Sequence, residues 1–112
     1  MVAELRARRL LEDAGLRWIA SNVRFPGGEL DLIMREDQTI VFIEVRYRLH
    51  SSYGIGAETV DKRKQQKLIR CAHRWLADYP HLIDLPCRFD VVHANGSLQR
   101  IEWIRHAFTA DG

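Results

Sequence analysis

Cysteine is scarce in this chain: Cys71 and Cys87 are the two among 112 residues, and their spacing suits no metal site. This points away from a disulfide-stapled fold and from a zinc ribbon, and a reducing cytoplasm is the expected setting. Long apolar runs are also missing. Nothing approaches the roughly 20 residues of a membrane-spanning helix, and no apolar signal-peptide core follows Met1, so neither a membrane nor export is expected. Charge of one sign is not in excess either, with 17 Lys and Arg against 15 Asp and Glu. A net charge of +2 does not announce nucleic acid, so only local clustering of the basic side chains could serve that purpose. Repeats, low-complexity tracts and linkers are absent as well. Residues 1–112 are therefore read as one domain, long enough to bury a core without staples.

What the chain does have is concentrated between Gly28 and Arg48. Glu29–Arg35 and Thr39–Tyr47 alternate apolar and polar residues and are rich in β-branched side chains, as strands are. A polar turn at Glu36-Asp37-Gln38 predicts a hairpin between them. With Asp37 and Gln38 as a two-residue loop, residues whose numbers sum to 75 lie opposite one another. Asp31 then faces Glu44, Glu29 faces Arg46, and all four share one side of the sheet. Leu30, Leu32, Met34, Val41, Ile43 and Val45 would form the core on the other side. A three-residue loop would instead place Asp31 opposite Ile43 or Val45.

Like charges facing each other destabilise a sheet. At about 5 Å and an effective dielectric near 20, an Asp31–Glu44 repulsion is worth about 3 kcal/mol. A divalent cation would turn that repulsion into coordination, and clustered carboxylates suit hard ions such as Mg²⁺ or Mn²⁺. The simpler alternative pairs Glu29 with Arg46 and leaves Asp31 and Glu44 solvated on an open sheet face.

Around this hairpin, Met1–Ala14 reads as an amphipathic helix with Ala3, Ala7, Leu10, Leu11 and Ala14 on its apolar stripe and Gly15 at its stop. Glu4 lies beside the stripe, where the helix dipole favours an acid. Leu16–Phe25 is extended and completes a three-strand meander; Asn22 and Arg24 read as surface residues able to flank the acidic patch. Residues 48–58 form a loop in which Arg48, His50, Ser51, Ser52 and Tyr53 suit a phosphate backbone, the alternative being a linker with no role. A second helix, Thr59–Tyr79, is capped by Thr59 and stops before Pro80, with Leu68, Ala72, Trp75, Leu76 and Tyr79 as its apolar stripe. Arg63, Lys67, Arg70 and Arg74 make one basic face, suited to phosphates or simply solvated. Lys64 lies nearer the apolar side and could reach the sheet. Residues 86–93 and 98–104 form a last hairpin around Asn95-Gly96. Asp90 has no evident tie to the acidic patch, and His73, His81, His93 and His106 lack metal-ligand spacing. The order α-β-β-β-α-β-β predicts an α/β domain with a mixed sheet flanked by helices.

The segments Gly28-Glu29-Leu30-Asp31 and Phe42-Ile43-Glu44-Val45-Arg46, between two helices, resemble the PD-(D/E)xK nuclease superfamily with its restriction-endonuclease-like fold. More closely, the chain resembles the YraN-type bacterial proteins, described as Holliday-junction-resolvase-like. Ala3 to Ala7, Asn22 to Arg24, Val60 to Lys64, Ala72 to Leu76 and Cys87 to Val92 extend the likeness over nearly the whole chain. The resemblance implies a Mg²⁺- or Mn²⁺-dependent endonuclease acting on branched or flapped DNA in repair or recombination. It implies Asp31, Glu44 and Glu4 as metal ligands with the Val45 carbonyl beside them, and Glu29 as part of the catalytic motif. Arg46 stands at the superfamily's lysine position. Arginine can stabilise negative charge but transfers no proton at neutral pH, so electrostatic stabilisation is its expected role. Arg48, His50, Arg63, Lys64, Lys67, Arg70 and Arg74 would bind the nucleic acid. Such resolvases act as dimers, and the apolar Leu98–Phe108 segment is a candidate interface. The alternative function is a nucleic-acid-binding module that has lost catalysis and recruits other proteins; a scaffold with no nucleic-acid role would leave the acidic patch unexplained.

Overall fold

In the computed structural model the described residues are 2–48, 60–96 and 100–110. His50, Ser51, Ser52, Tyr53, Thr59 and Leu98 lie outside them.

Helix α1 covers Val2–Asp13 and buries Ala3, Glu4, Ala7 and Leu11. It stops where Gly15 takes a φ of +103°, a left-handed conformation that glycine adopts without a Cβ clash. Strands β1 (Arg17–Phe25), β2 (Gly28–Glu36) and β3 (Thr39–Arg48) form the expected meander, and helix α2 (Lys62–Ala77) follows. A single 3-10 turn at Pro80–Leu82 leads into β4 (Cys87–Asn95) and β5 (Arg100–Phe108). The five strands lie side by side in chain order, antiparallel except for the parallel pair β3 and β4. A parallel pair needs a long crossover, and α2 provides it.

The hairpin register is the expected one. Glu36 pairs with Thr39 and Leu32 with Ile43, around a two-residue turn at Asp37 and Gln38. Asp37 takes a φ of +52°, which Asp tolerates in tight turns. Arg35 braces the turn through the Asp37 carbonyl at 2.8 Å and the Gln38 side chain at 3.0 Å.

Both faces of the sheet are buried, which corrects the reading of a one-sided core. On one face α2 packs Leu68, Cys71, Ala72, Trp75 and Leu76 onto Ile33, Ile40, Phe42, Phe89 and Val91. On the other, Ala7 and Leu11 of α1 pack onto Leu32, Met34, Val41, Ile43 and Val92. Two-sided burial follows from the crossover, since strands covered on both faces need apolar residues at nearly every position. Leu30, expected beside Leu32, belongs instead to the α2 side.

The second helix is shorter than its pattern suggested. Asp61 is its N-cap, with Oδ1 accepting from the Lys64 amide at 2.8 Å. Tyr79 lies past the helix end, exposed, with its ring 4.5 Å from that of Trp75. Asp90 is fully buried and has no part in the acidic patch. It accepts from Arg88 Nε at 3.0 Å, Trp103 Nε1 at 2.9 Å and the His106 amide at 3.0 Å, tying β4 to β5.

Candidate metal centre

The site arises where the regular sheet gives way. The β2–β3 ladder ends at Leu32 and Ile43. The β1–β2 ladder passes from Ser21↔Leu32 to Val23↔Leu30, stepping over Asn22 and Asp31, and Asn22 takes a φ of +55°. In a regular strand Leu30 and Leu32 would share a face. Here they belong to opposite cores, Leu30 to the α2 side and Leu32 to the α1 side. Released from the ladder, Asp31 accepts the Val45 amide at 2.9 Å through its own Oδ2, so a side chain takes the place of a strand carbonyl.

Four carboxylates gather there. Oxygens of Glu4, Glu29 and Asp31 lie within 4.8 Å of one another. Glu44 approaches Asp31 from β3, near enough for a carboxyl–carboxylate hydrogen bond. Burial first, and then the charge of Glu44, push the Asp31 carboxyl up to about 7 from an ordinary 3.8, against the opposing hydrogen bond from Val45. Burial also raises Glu4, followed by the charge of Asp31, while a hydrogen bond with Asn22 pulls it down.

Glu4 is 8% exposed and the Glu44 side chain 10%, and in each the Oε1 atom is buried with no hydrogen-bond partner. An unpartnered buried carboxylate oxygen costs free energy that no contact returns. A hard divalent cation would satisfy both atoms and relieve the repulsion, and the all-oxygen donor set suits Mg²⁺ or Mn²⁺ rather than a softer metal. The residues present fit such an ion.

Two basic residues reach the cluster. Arg24 pairs with Glu29 at 3.5 Å, and Lys64 of α2 pairs with Glu44 at the same distance. The Arg24 pair corrects the expected placement of Glu29 opposite Arg46, because β2 and β3 are no longer paired at that level. Arg46 lines an open cavity of about 340 Å³ together with Glu44, Val45, Tyr47, Asp61 and Lys64. Glu4 and Asn22 line a second, of about 420 Å³, between α1 and β1. The acidic cluster is therefore accessible from both helices' sides.

The structure thus brings together Glu4, Glu29, Asp31 and Glu44, with Arg46 and Lys64 beside them. Arg63, Lys67, Arg70 and Arg74 remain exposed along α2, and Arg74 pairs with Asp78 at 3.0 Å. Arg48 ends β3, and His50 is outside the described residues. Asn22 and Arg24, read as surface residues, both touch the cluster. His93, set aside in the sequence for want of metal-ligand spacing, is 2% exposed, with Nε2 unpartnered, on β4 alongside Arg46. No spacing rule would have found it, since its position depends on the parallel β3–β4 pairing.

Fold and site together define a small α/β protein with a mixed sheet whose central strands part around a carboxylate cluster. The model of the "Uncharacterised protein family UPF0102" matches residues 3–94, and the chain belongs to that family. A UPF0102 protein of Xylella fastidiosa (strain M12) is 53% identical over 108 residues, spanning 96% of this chain and 89% of its own. A relative from Xanthomonas oryzae pv. oryzae (strain PXO99A) is likewise 53% identical, over 96% of this chain and 88% of its own.

Proposed function

We propose that the protein is a metal-dependent endonuclease that hydrolyses phosphodiester bonds in branched or flapped DNA. The observation that carries this reading is the carboxylate cluster with two buried, unpartnered oxygens, on Glu4 and Glu44, next to a basic helix. The likeness of Glu29, Asp31, Glu44 and Arg46 to the PD-(D/E)xK motif supports the same chemistry.

Asp31, Glu44 and Glu4 would hold Mg²⁺ or Mn²⁺, with Glu29 beside them. Such an ion lowers the pKa of bound water and polarises a phosphate. The protein's own groups do the rest. Val45 N–H fixes the Asp31 carboxylate, and Asn22 steadies Glu4. Arg46 offers a permanent positive charge in the cavity next to Glu44, where negative charge on a phosphate would develop. Arg63, Lys67, Arg70 and Arg74 hold the DNA backbone without reading bases, which favours shape over sequence.

The arginine at position 46 also favours a second reading, a DNA-binding module without catalysis. Wild type and Asp31→Ala, incubated with labelled four-way junction, flap and linear DNA in Mg²⁺, Mn²⁺ or EDTA, separate the two. Metal-dependent cleavage by wild type alone supports the nuclease. Binding by both proteins with cleavage by neither supports the module.

A further inference from the structure

We propose that Lys64 supplies the ammonium that stabilises the scissile phosphate, a step that rests on the nuclease reading above. Lys64 lies in the first turn of α2, far along the chain from the acidic strands, yet its Nζ is 3.5 Å from Glu44 Oε2. Its position is held locally. Asp61 caps the helix on the Lys64 amide itself at 2.8 Å, and Gln65 Nε2 donates to the Val60 carbonyl at 2.7 Å. The stem of Lys64 therefore leaves an anchored turn and bridges from helix to sheet.

Its exposure shows what the pair is suited for. The Lys64 side chain is 44% exposed and that of Glu44 10%, so the ammonium stands on the open side of the cavity that both line. A phosphate entering that cavity comes within reach of Lys64, which lines it together with Glu44 and Arg46. Lys64 serves one oxygen of the buried Glu44 and leaves the other without a partner, so its half-exposed ammonium faces both the carboxylate and the cavity. Without a nearby cation, a phosphate entering among four carboxylates would be repelled. Among the described residues, Arg63, Lys67 and Arg70 form no ion pair with the cluster, whereas Lys64 does.

Hydrolysis joins the oxygen of one water to phosphorus and breaks one bridging P–O bond. One proton of that water is released and one is taken up by the leaving alkoxide, so water is the only co-reactant. Through this change negative charge grows on the phosphoryl oxygens. Lys64 donates an N–H to a non-bridging oxygen as that charge grows, and the interaction strengthens in the transition state. Arg46, in the same cavity, adds its permanent charge beside that of Lys64.

The test compares wild type, Lys64→Met, Lys64→Arg and Arg46→Met on a four-way junction with Mn²⁺. Single-turnover cleavage is measured at saturating protein, and junction Kd separately by anisotropy in Ca²⁺. Lys64→Met is expected to slow cleavage by about 100-fold or more while Kd changes less than about 3-fold. Lys64→Arg, which keeps the charge, recovers part of the rate, and Arg46→Met also slows cleavage, since both cations line the cavity that receives the phosphate. Circular dichroism melting confirms the fold of each variant. Full-rate cleavage by Lys64→Met, or a loss confined to Kd, overturns the role of Lys64 and leaves the nuclease reading standing. Absence of cleavage by wild type in every metal overturns both.

Discussion

Replacing Asp31 by Asn should stabilise the metal-free protein at neutral pH, although it removes a buried hydrogen-bonding acid. The Asp31 carboxyl is pushed up to about 7 from 3.8 by burial and by Glu44. The sign follows from proton binding. Below about pH 4 the group is protonated in both folded and unfolded chains, and it contributes nothing. Between about pH 4 and 7 the unfolded chain ionises first, so stability falls as pH rises; above about 7 the penalty is complete. A shift of about 3 units at 1.36 kcal/mol each sets a ceiling of about 4 kcal/mol, and water reaching the cleft lowers the expected gain to about 2–4 kcal/mol. An amide escapes the penalty, and its Oδ1 can still accept from the Val45 amide. Urea unfolding of both proteins in EDTA at pH 4, 5.5 and 8 tests this. The advantage of Asp31→Asn should be near zero at pH 4 and largest at pH 8. A variant no more stable than wild type at pH 8, or equally favoured at every pH, would refute the electrostatic account of the cluster.

Three further outcomes concern the frame around the site. Asp90→Ala leaves the Arg88 guanidinium without its buried partner and should cost about 3–5 kcal/mol in urea unfolding; a loss under about 1 kcal/mol would show that Glu36 suffices as its partner. Gly28→Ala would bring a Cβ within 2.6 Å of Cys71 Sγ. It should cost about 1–3 kcal/mol, with a double-mutant cycle through Cys71→Ala recovering much of it, and strict additivity would place the strain elsewhere. Asp61→Ala removes the cap of α2 and should cost about 1 kcal/mol by thermal melting, whereas an unchanged melt would mean that packing of Val60 and Leu68 holds the start of the helix without it.

Much of the fold was legible because its signals are local. The pairing of Glu36 with Thr39 follows from a two-residue turn, and one such pair sets the rest of the hairpin. Gly15 and Pro80 mark helix limits by backbone geometry alone. The cap of α2 was harder, because Thr59 and Asp61 are both good caps and only the capping bond to Lys64 distinguishes them. The departure from period-2 alternation around Asp31 was not legible: Asn22 takes a positive φ in the neighbouring strand and Leu30 joins the α2 core, and neither shows in an alternating pattern. For the site, Asp31 and Glu44 came from the register and Glu4 from the resemblance. Lys64 had a hint in its angular position on the helix. Arg24 as the partner of Glu29 follows from the β1–β2 register, which sets the two opposite each other across the turn at Pro26 and Gly27.

Mn²⁺ binding measured by electron paramagnetic resonance tests most directly whether the acidic cleft is a cation site. Wild type, Glu4→Gln, Asp31→Asn and Glu44→Gln would be titrated with Mn²⁺ and then challenged with Mg²⁺. The expected result is saturable Mn²⁺ uptake by wild type that Mg²⁺ displaces and that each substitution weakens by tenfold or more, about 1.4 kcal/mol per decade. Wild type that takes up no Mn²⁺ at millimolar concentration, or uptake that survives Asp31→Asn unchanged, would contradict the assignment of the cleft.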